Sequence, residues 1–180
     1  MLKGYLTATL LNTFVSQYDI MPMLRRDEIE TNQAMQNGID FENRVIKGEI
    51  EELKELVNNG LYQVKLSKEC EGYMLFGFAD LIKGLKIYDF KFVKSYEIGK
   101  YRNAVQHLLY MYCADMDEFE YIIGTKDESI YYESYSRDDK KLIEVVNQFD
   151  KWLDKTGNRE VYNKNYSMNR IKEKYNVNFI

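Results

Sequence analysis

Asp80, Asp89 and Lys91 stand in two stretches whose other residues are largely apolar, YMLFGFADLI and LKIYDFKFV. A carboxylate or an ammonium in such company is costly to bury unless something compensates it. Asp89 and Lys91 are two residues apart, so on a strand their side chains leave the same face. Asp80 belongs to the preceding stretch, and a turn at Lys83-Gly84 folds it back towards Asp89. Two carboxylates so placed suit a hard divalent cation, since Mg²⁺ is held by one or two carboxylates with water and phosphate oxygens completing its shell. A lysine beside that cation can orient or deprotonate an attacking water and steady charge developing on a phosphate. The chemistry these residues point to is metal-assisted phosphodiester hydrolysis. Gln106 and Tyr110, four apart in QHLLY, share a helix face that can look onto the same place.

The elements around these residues follow from periodicity. LYQVKLSKEC (Leu61 to Cys70) alternates as a strand, Glu71-Gly72 is a turn, and the two stretches above complete a three-stranded antiparallel meander. Tyr101 to Asp115 reads as a helix, with Ala104, Leu108, Met111 and Tyr112 at packing positions. His107, the only histidine, falls about 100° from Gln106 and reads as a surface or groove residue. FEYIIGT and SIYYESYS supply two more strands, and Asp138 to Lys155 an amphipathic helix that carries Trp152 and stops at Gly157. The tail to Ile180 has room for one short helix.

Before the meander, Thr7 to Tyr18 is helix-like and Pro22 breaks the chain after it. A long helical stretch then runs from about Asp27 to Asn58, with a break expected near Gly38. Its buried face is Ile39, Phe41, Val45, Ile46, Ile50, Leu53 and Leu56. Glu42, next to Phe41, borders that face. A helix between the third and fourth strands makes the sheet mixed, with helices on its faces. The expected architecture is one α/β domain spanning residues 1–180.

The 180 residues are 45% hydrophobic and 30% charged, an ordinary globular composition, and no window is long and apolar enough to span a membrane. The N-terminus reads as the start of a folded element rather than a signal peptide. Two cysteines, Cys70 and Cys113, are too few for a disulfide scaffold, and a reduced, cytoplasmic setting is expected. The net charge of −4 argues against a wholly polyanion-binding surface. Six positive side chains lie between Lys83 and Arg102 against Asp89 and Glu97, however, so that segment is +4 and the remainder −8. A basic island at the candidate site suits an anionic substrate, and a lysine-rich strand edge that discourages aggregation produces the same pattern. The 16 tyrosines sit at strand or helix spacing and read as core and rim rather than as a base-stacking surface.

Gly77-Phe78-Ala79-Asp80, Asp89-Phe90-Lys91 and Gln106 to Tyr110, in that order on those elements, resemble the PD-(D/E)XK nuclease superfamily. More narrowly they resemble its RecB-like and phage exonuclease branch, over roughly residues 38–124. The resemblance implies a restriction-endonuclease-like α-β-β-β-α-β core, with the C-terminal strand and helices of 129–180 added to it. It implies Asp80, Asp89, the Phe90 carbonyl and Glu42 as ligands of Mg²⁺ or Mn²⁺, and Lys91 as the catalytic lysine. Gln106, Tyr110, Lys94 and Arg102 are then the groups that meet substrate. Glu42 stands where many RecB-like members have histidine. The cysteine cluster that holds iron–sulfur in some relatives is missing, so no iron–sulfur cluster is implied. The expected partner is DNA, with no membrane. A homo-oligomer and a recombination or single-strand-annealing partner fit the same branch.

The function expected from all this is a metal-dependent deoxyribonuclease, an exonuclease of phage or mobile-element recombination. Two alternatives stay open: a structure-specific endonuclease of the junction-resolvase kind, and a non-catalytic binding module on the same fold.

Overall fold

The computed structural model describes residues 2–28 and 30–175, the last two by backbone alone. The chain opens with a short strand, β1 (Tyr5–Thr7), followed by helix α1 (Ala8–Val15). The expected helix is therefore shorter at both ends, and its start is set by Thr7, whose side chain accepts the Leu10 N–H at 3.3 Å. Three residues are too few for alternation to announce a strand. Pro22 does not simply break the chain. It sits in the first turn of α2 (Met21–Arg25), where its missing N–H has no helical partner to lose.

The long helix expected over 27–58 is divided. Asn32 caps α3 (Gln33–Ile46) by accepting the Met35 N–H at 3.0 Å. The helix runs straight through Gly38, where an added Cβ would meet nothing beyond the helix itself within 4 Å, and ends where Gly48 takes φ +68°. A 3₁₀ turn (Glu51–Leu53) and α4 (Lys54–Val57) follow. Phe41 and Val45 are buried, but Ile39 is 48% exposed, contrary to the expected face. Two residues on a helix lie about 200° apart, so Ile39 and Phe41 cannot both point inward.

The meander forms as expected: β2 (Leu61–Cys70), β3 (Tyr73–Lys83) and β4 (Lys86–Val93). Glu71 and Gly72, both with positive φ, make the tight link between the first two. α5 (Gln106–Ala114) then crosses over to β5 (Glu118–Thr125), which lies parallel to β4, and β6 (Ile130–Ser136) closes the far edge antiparallel. α5 begins five residues later than expected, after turns over 98–103. Its first turn is tied from another element, with the Val105 N–H donating to Asn12 Oδ1 at 2.5 Å. α6 (Asp139–Lys155), α7 (Arg159–Asn165) and α8 (Met168–Tyr175) complete the fold. The tail thus forms two helices after Gly157 where one was expected, and residues 176–180 lie outside those described.

The sheet order is β1-β3-β4-β5-β6, with β2 paired to the other edge of β3. Apolar side chains pack on both faces. Phe41, Val45, Leu53 and Val57 meet Leu81, Phe90 and Ile122 on one side. Leu11, Leu109, Phe149 and Tyr162 pack with Phe76, Phe119 and Ile123 on the other. Helical layers on both faces exclude water from the middle of the sheet, where an ionisable group is most perturbed.

Candidate active site

One edge of β3 is shared by two strands. β1 runs parallel along Met74–Phe76 and β4 antiparallel along Leu81–Lys83, while residues 77–80 pair with neither. The last rung joins Leu81 to Tyr88, so Asp80 and Asp89 face each other at the next position, where β4 leaves β3 and continues beside β5. Asp80 bridges the opening: its Oδ2 accepts the Phe90 N–H at 2.8 Å. Lys91 Nζ lies 2.5 Å from Asp89 Oδ2. The structure thus brings Asp80, Asp89 and Lys91 together, on the same side of the sheet.

Asp89 is 1% exposed, and its Oδ2 faces the Lys91 ammonium. Burial and the neighbouring Asp89 charge push the Asp80 carboxyl up to about 8. Burial also raises Asp89, against the pull of Lys91. For Lys91 itself burial acts downward, but Asp89, Asp80 and Glu42 outweigh it, so the ammonium keeps its proton more firmly than usual. Two carboxylates beside one lysine leave one negative charge unbalanced when both are ionised, which a proton or a further cation offsets.

α5 closes this position from one side. Gln106 donates from Nε2 to Asp89 Oδ1 at 2.5 Å, so the amide holds the buried carboxylate. Tyr110, one turn later and 6% exposed, lays its ring over Gly77, where a Cβ would come within 2.6 Å of the ring. Gly77 in the GFAD stretch is thus required by close approach rather than by a turn. A cavity of about 520 Å³ adjoins here, lined by Thr7, Thr9, Arg26, Gly77 and Tyr110 among others.

No family model matches the chain, and no curated protein sequence matches it. Solved structures do. LHK-Exo in complex with dAMP superposes over 91% of this chain and 93% of its own, with a TM-score of 0.62 and 14% identity. The alkaline exonuclease LHK-Exo from Laribacter hongkongensis gives 0.57 at 14% identity, over 89% and 92% of the two chains. A phage-related exonuclease from Haemophilus somnus gives 0.50 at 15% identity, over 89% and 94%. This chain shares the fold of these exonucleases.

Glu42 reaches the site from a different element than the two aspartates. It is half-buried on α3, is raised by burial and by the Asp89 charge, and accepts a 2.6 Å hydrogen bond from Gln63 Nε2. It feels Asp80, Asp89 and Lys91 electrostatically. Yet among the described residues no three histidine, cysteine or acidic side chains are spaced as a ready coordination shell. Lys94 and Arg102 both lie at the surface of the loop between β4 and α5.

Three residues acquire a place here beyond the sequence expectations. Gln63 lies opposite Asp80 in the β2–β3 register, is the one position from Leu61 to Cys70 without a ladder partner, and has φ +48°. A non-glycine residue in that region in mid-strand is strained. Glu133 is 7% exposed and gathers the loop carrying Lys94 and Arg102: it accepts from Tyr96 Oη at 2.6 Å, Gly99 N at 2.9 Å and Tyr101 N at 3.2 Å. These bonds, with one from Tyr135, outweigh its burial and lower its pKa. Its signal was visible, as an acid on the aromatic face of IYYESYS. His107 is corrected outright: it is 2% exposed, stacked at 4.2 Å on Tyr135, and burial lowers its pKa to about 4. Its helix face packs inward because β5 and β6 cover it.

Proposed function

We propose that the protein is a divalent-cation-dependent deoxyribonuclease. The observation that carries this reading is the opposed pair Asp80 and Asp89, with Lys91 and Gln106 on the buried member, at the point where β3 and β4 part. Asp80, Asp89, Glu42 and Lys91 sum to −2 when all are ionised, the charge that one Mg²⁺ or Mn²⁺ balances. The donor set is all hard oxygen, and two carboxylates without a complete protein cage is the usual provision for Mg²⁺ that also binds phosphate. In this reading Asp80 and Asp89 hold the ion, with the Phe90 carbonyl and Glu42 beside them. The bound cation supplies a Lewis acid at the phosphate and a more acidic water.

The chain's own groups divide the remaining tasks. Lys91 keeps its proton, so it serves as a fixed positive charge and donor that orients the water and the scissile phosphate rather than as the base. Gln106 holds Asp89 in one rotamer, and Tyr110 fixes α5 against Gly77. Lys94 and Arg102 carry charge towards the DNA backbone. The likeness to exonucleases, one of them crystallised with dAMP and one phage-related, favours cutting from DNA ends in recombination over the two alternatives.

The test is direct. Purified protein should degrade linear DNA with Mg²⁺ or Mn²⁺ and not in EDTA, and leave a closed circle intact. Asp89→Asn and Lys91→Met should each lower the rate by roughly 10²-fold or more. Wild type that leaves linear DNA whole with either cation refutes the reading, and cutting of the circle turns it towards the endonuclease.

A further inference from the structure

β4 does not stop at the carboxylates. Past Lys91 it runs through Phe92 and Val93 to Lys94, and these form one wall of a cavity of about 780 Å³. Helix α3 forms the facing wall through Phe41 and Arg44. Lys100 and Lys126 also line the groove. Glu42 and Lys91 do not line it: Lys91 leaves β4 on the face opposite Phe92, whose ring packs on Phe41 at 5.8 Å.

The charge here is unusual for this chain. Arg44, Lys94, Lys100 and Lys126 are all exposed, and among the described residues none takes part in a salt bridge. Asp40 is the one acid on the wall, and its Oδ1 is engaged by Gln36 at 2.8 Å. Four unpaired cations in one groove, on a protein of net charge −4, attract a polyanion. A second cavity of about 450 Å³ continues from it, sharing Lys94 and Lys126 and adding Tyr96 and Tyr131. Those two rings lie 4.7 Å apart, and Tyr131 is 39% exposed. Tyr96 is held by Glu133, so the aromatic step is rigid. Cations that track a backbone, followed by an open aromatic face, match the requirements of an unpaired strand whose bases are free to stack.

We propose that this groove holds a single DNA strand, with phosphates on Arg44, Lys94, Lys100 and Lys126 and a base on Tyr131. The proposal rests on the nuclease reading in taking DNA as the polymer. A duplex has no free base face to offer Tyr131, and an acidic peptide has none at all.

Binding is measured in EDTA, so that it is independent of cutting, by anisotropy of fluorescein-labelled oligo(dT) of 12 nucleotides and of a 12-base-pair duplex. Lys94→Glu combined with Lys126→Glu should weaken single-strand binding about tenfold or more and flatten the salt dependence by roughly 1.4 in slope. Tyr131→Ala should weaken it about fivefold or more with the slope unchanged. All three side chains are exposed, so the variants keep the fold. Single-strand binding that the charge reversal leaves intact overturns the proposal. So does duplex binding weakened by Tyr131→Ala as much as single-strand binding, or oligo(dT) displaced equally well by polyglutamate. Groove variants that lose the strand, in a protein that cuts nothing with Mg²⁺ or Mn²⁺, would leave the groove standing and the nuclease reading refuted. Cutting with unchanged binding would do the reverse.

Discussion

In the proposed mechanism the chemistry turns on Asp80. With its pKa pushed up to about 8 by burial and by Asp89, it is protonated at neutral pH unless a cation takes the proton's place. Mn²⁺ binding should therefore release a proton below pH 8, and the apparent affinity should rise with pH until Asp80 is ionised and then level off. Calorimetry at pH 6.5 in two buffers of different ionisation enthalpy checks this, since identical heats would mean no proton is displaced. Gln63 makes a second test at this scale. Its left-handed backbone costs about 1–2 kcal/mol, which glycine would relieve, while its amide holds Glu42 at 2.6 Å. Gln63→Gly should raise the thermal midpoint of the metal-free protein and weaken Mn²⁺ binding. A variant less stable than wild type would show that the strain is not there.

At the scale of elements, the site exists because two strands part. β3 is paired to β1 at one end and to β4 at the other, and the opening between them is filled by side chains from α5. Gly77 is the hinge of that packing, since a methyl group there would meet the Tyr110 ring at 2.6 Å. Gly77→Ala should push α5, and Gln106 with it, away from Asp89. We expect a stability loss of about 1–3 kcal/mol, in the range of overpacked cores, and a fall in cleavage rate beyond what the lost folded fraction explains. Chemical denaturation and single-turnover cutting of the same sample separate the two effects. Strand periodicity revealed β2 to β6, but not β1, whose three residues make sense only as a parallel partner for Met74–Phe76. Nor could it reveal that α5 starts at Gln106, because the group that ties its first turn is Asn12, more than ninety residues away in sequence.

Across the whole molecule, acid should unfold the protein through His107. A histidine buried neutral, with its pKa lowered to about 4 against 6.5 in the unfolded chain, favours the folded state fully above pH 6.5. That contribution is lost as pH falls from 6.5 towards 4, because only the unfolded chain takes up the proton. The loss approaches about 3 kcal/mol at the lower limit. His107→Phe should flatten the decline in thermal midpoint between pH 7 and 5, and an unaltered decline would assign it to carboxylates instead. No helix among the described residues is long and apolar enough to cross a membrane.

The sequence by itself determined which groups could do chemistry. Carboxylates in apolar strands, a lysine two residues on and a glutamine four before a tyrosine are local signals, and strand and helix periods are enough to interpret them. The meander, the crossover helix and the mixed sheet followed from link lengths alone. What only the tertiary structure decided is every relation between residues far apart in the chain. Glu42 turned to Gln63, Glu133 gathering the basic loop and His107 facing inward all depend on which surfaces pack together. A period of two or of 3.6 fixes the face a side chain leaves from, but not what waits on the other side of that face.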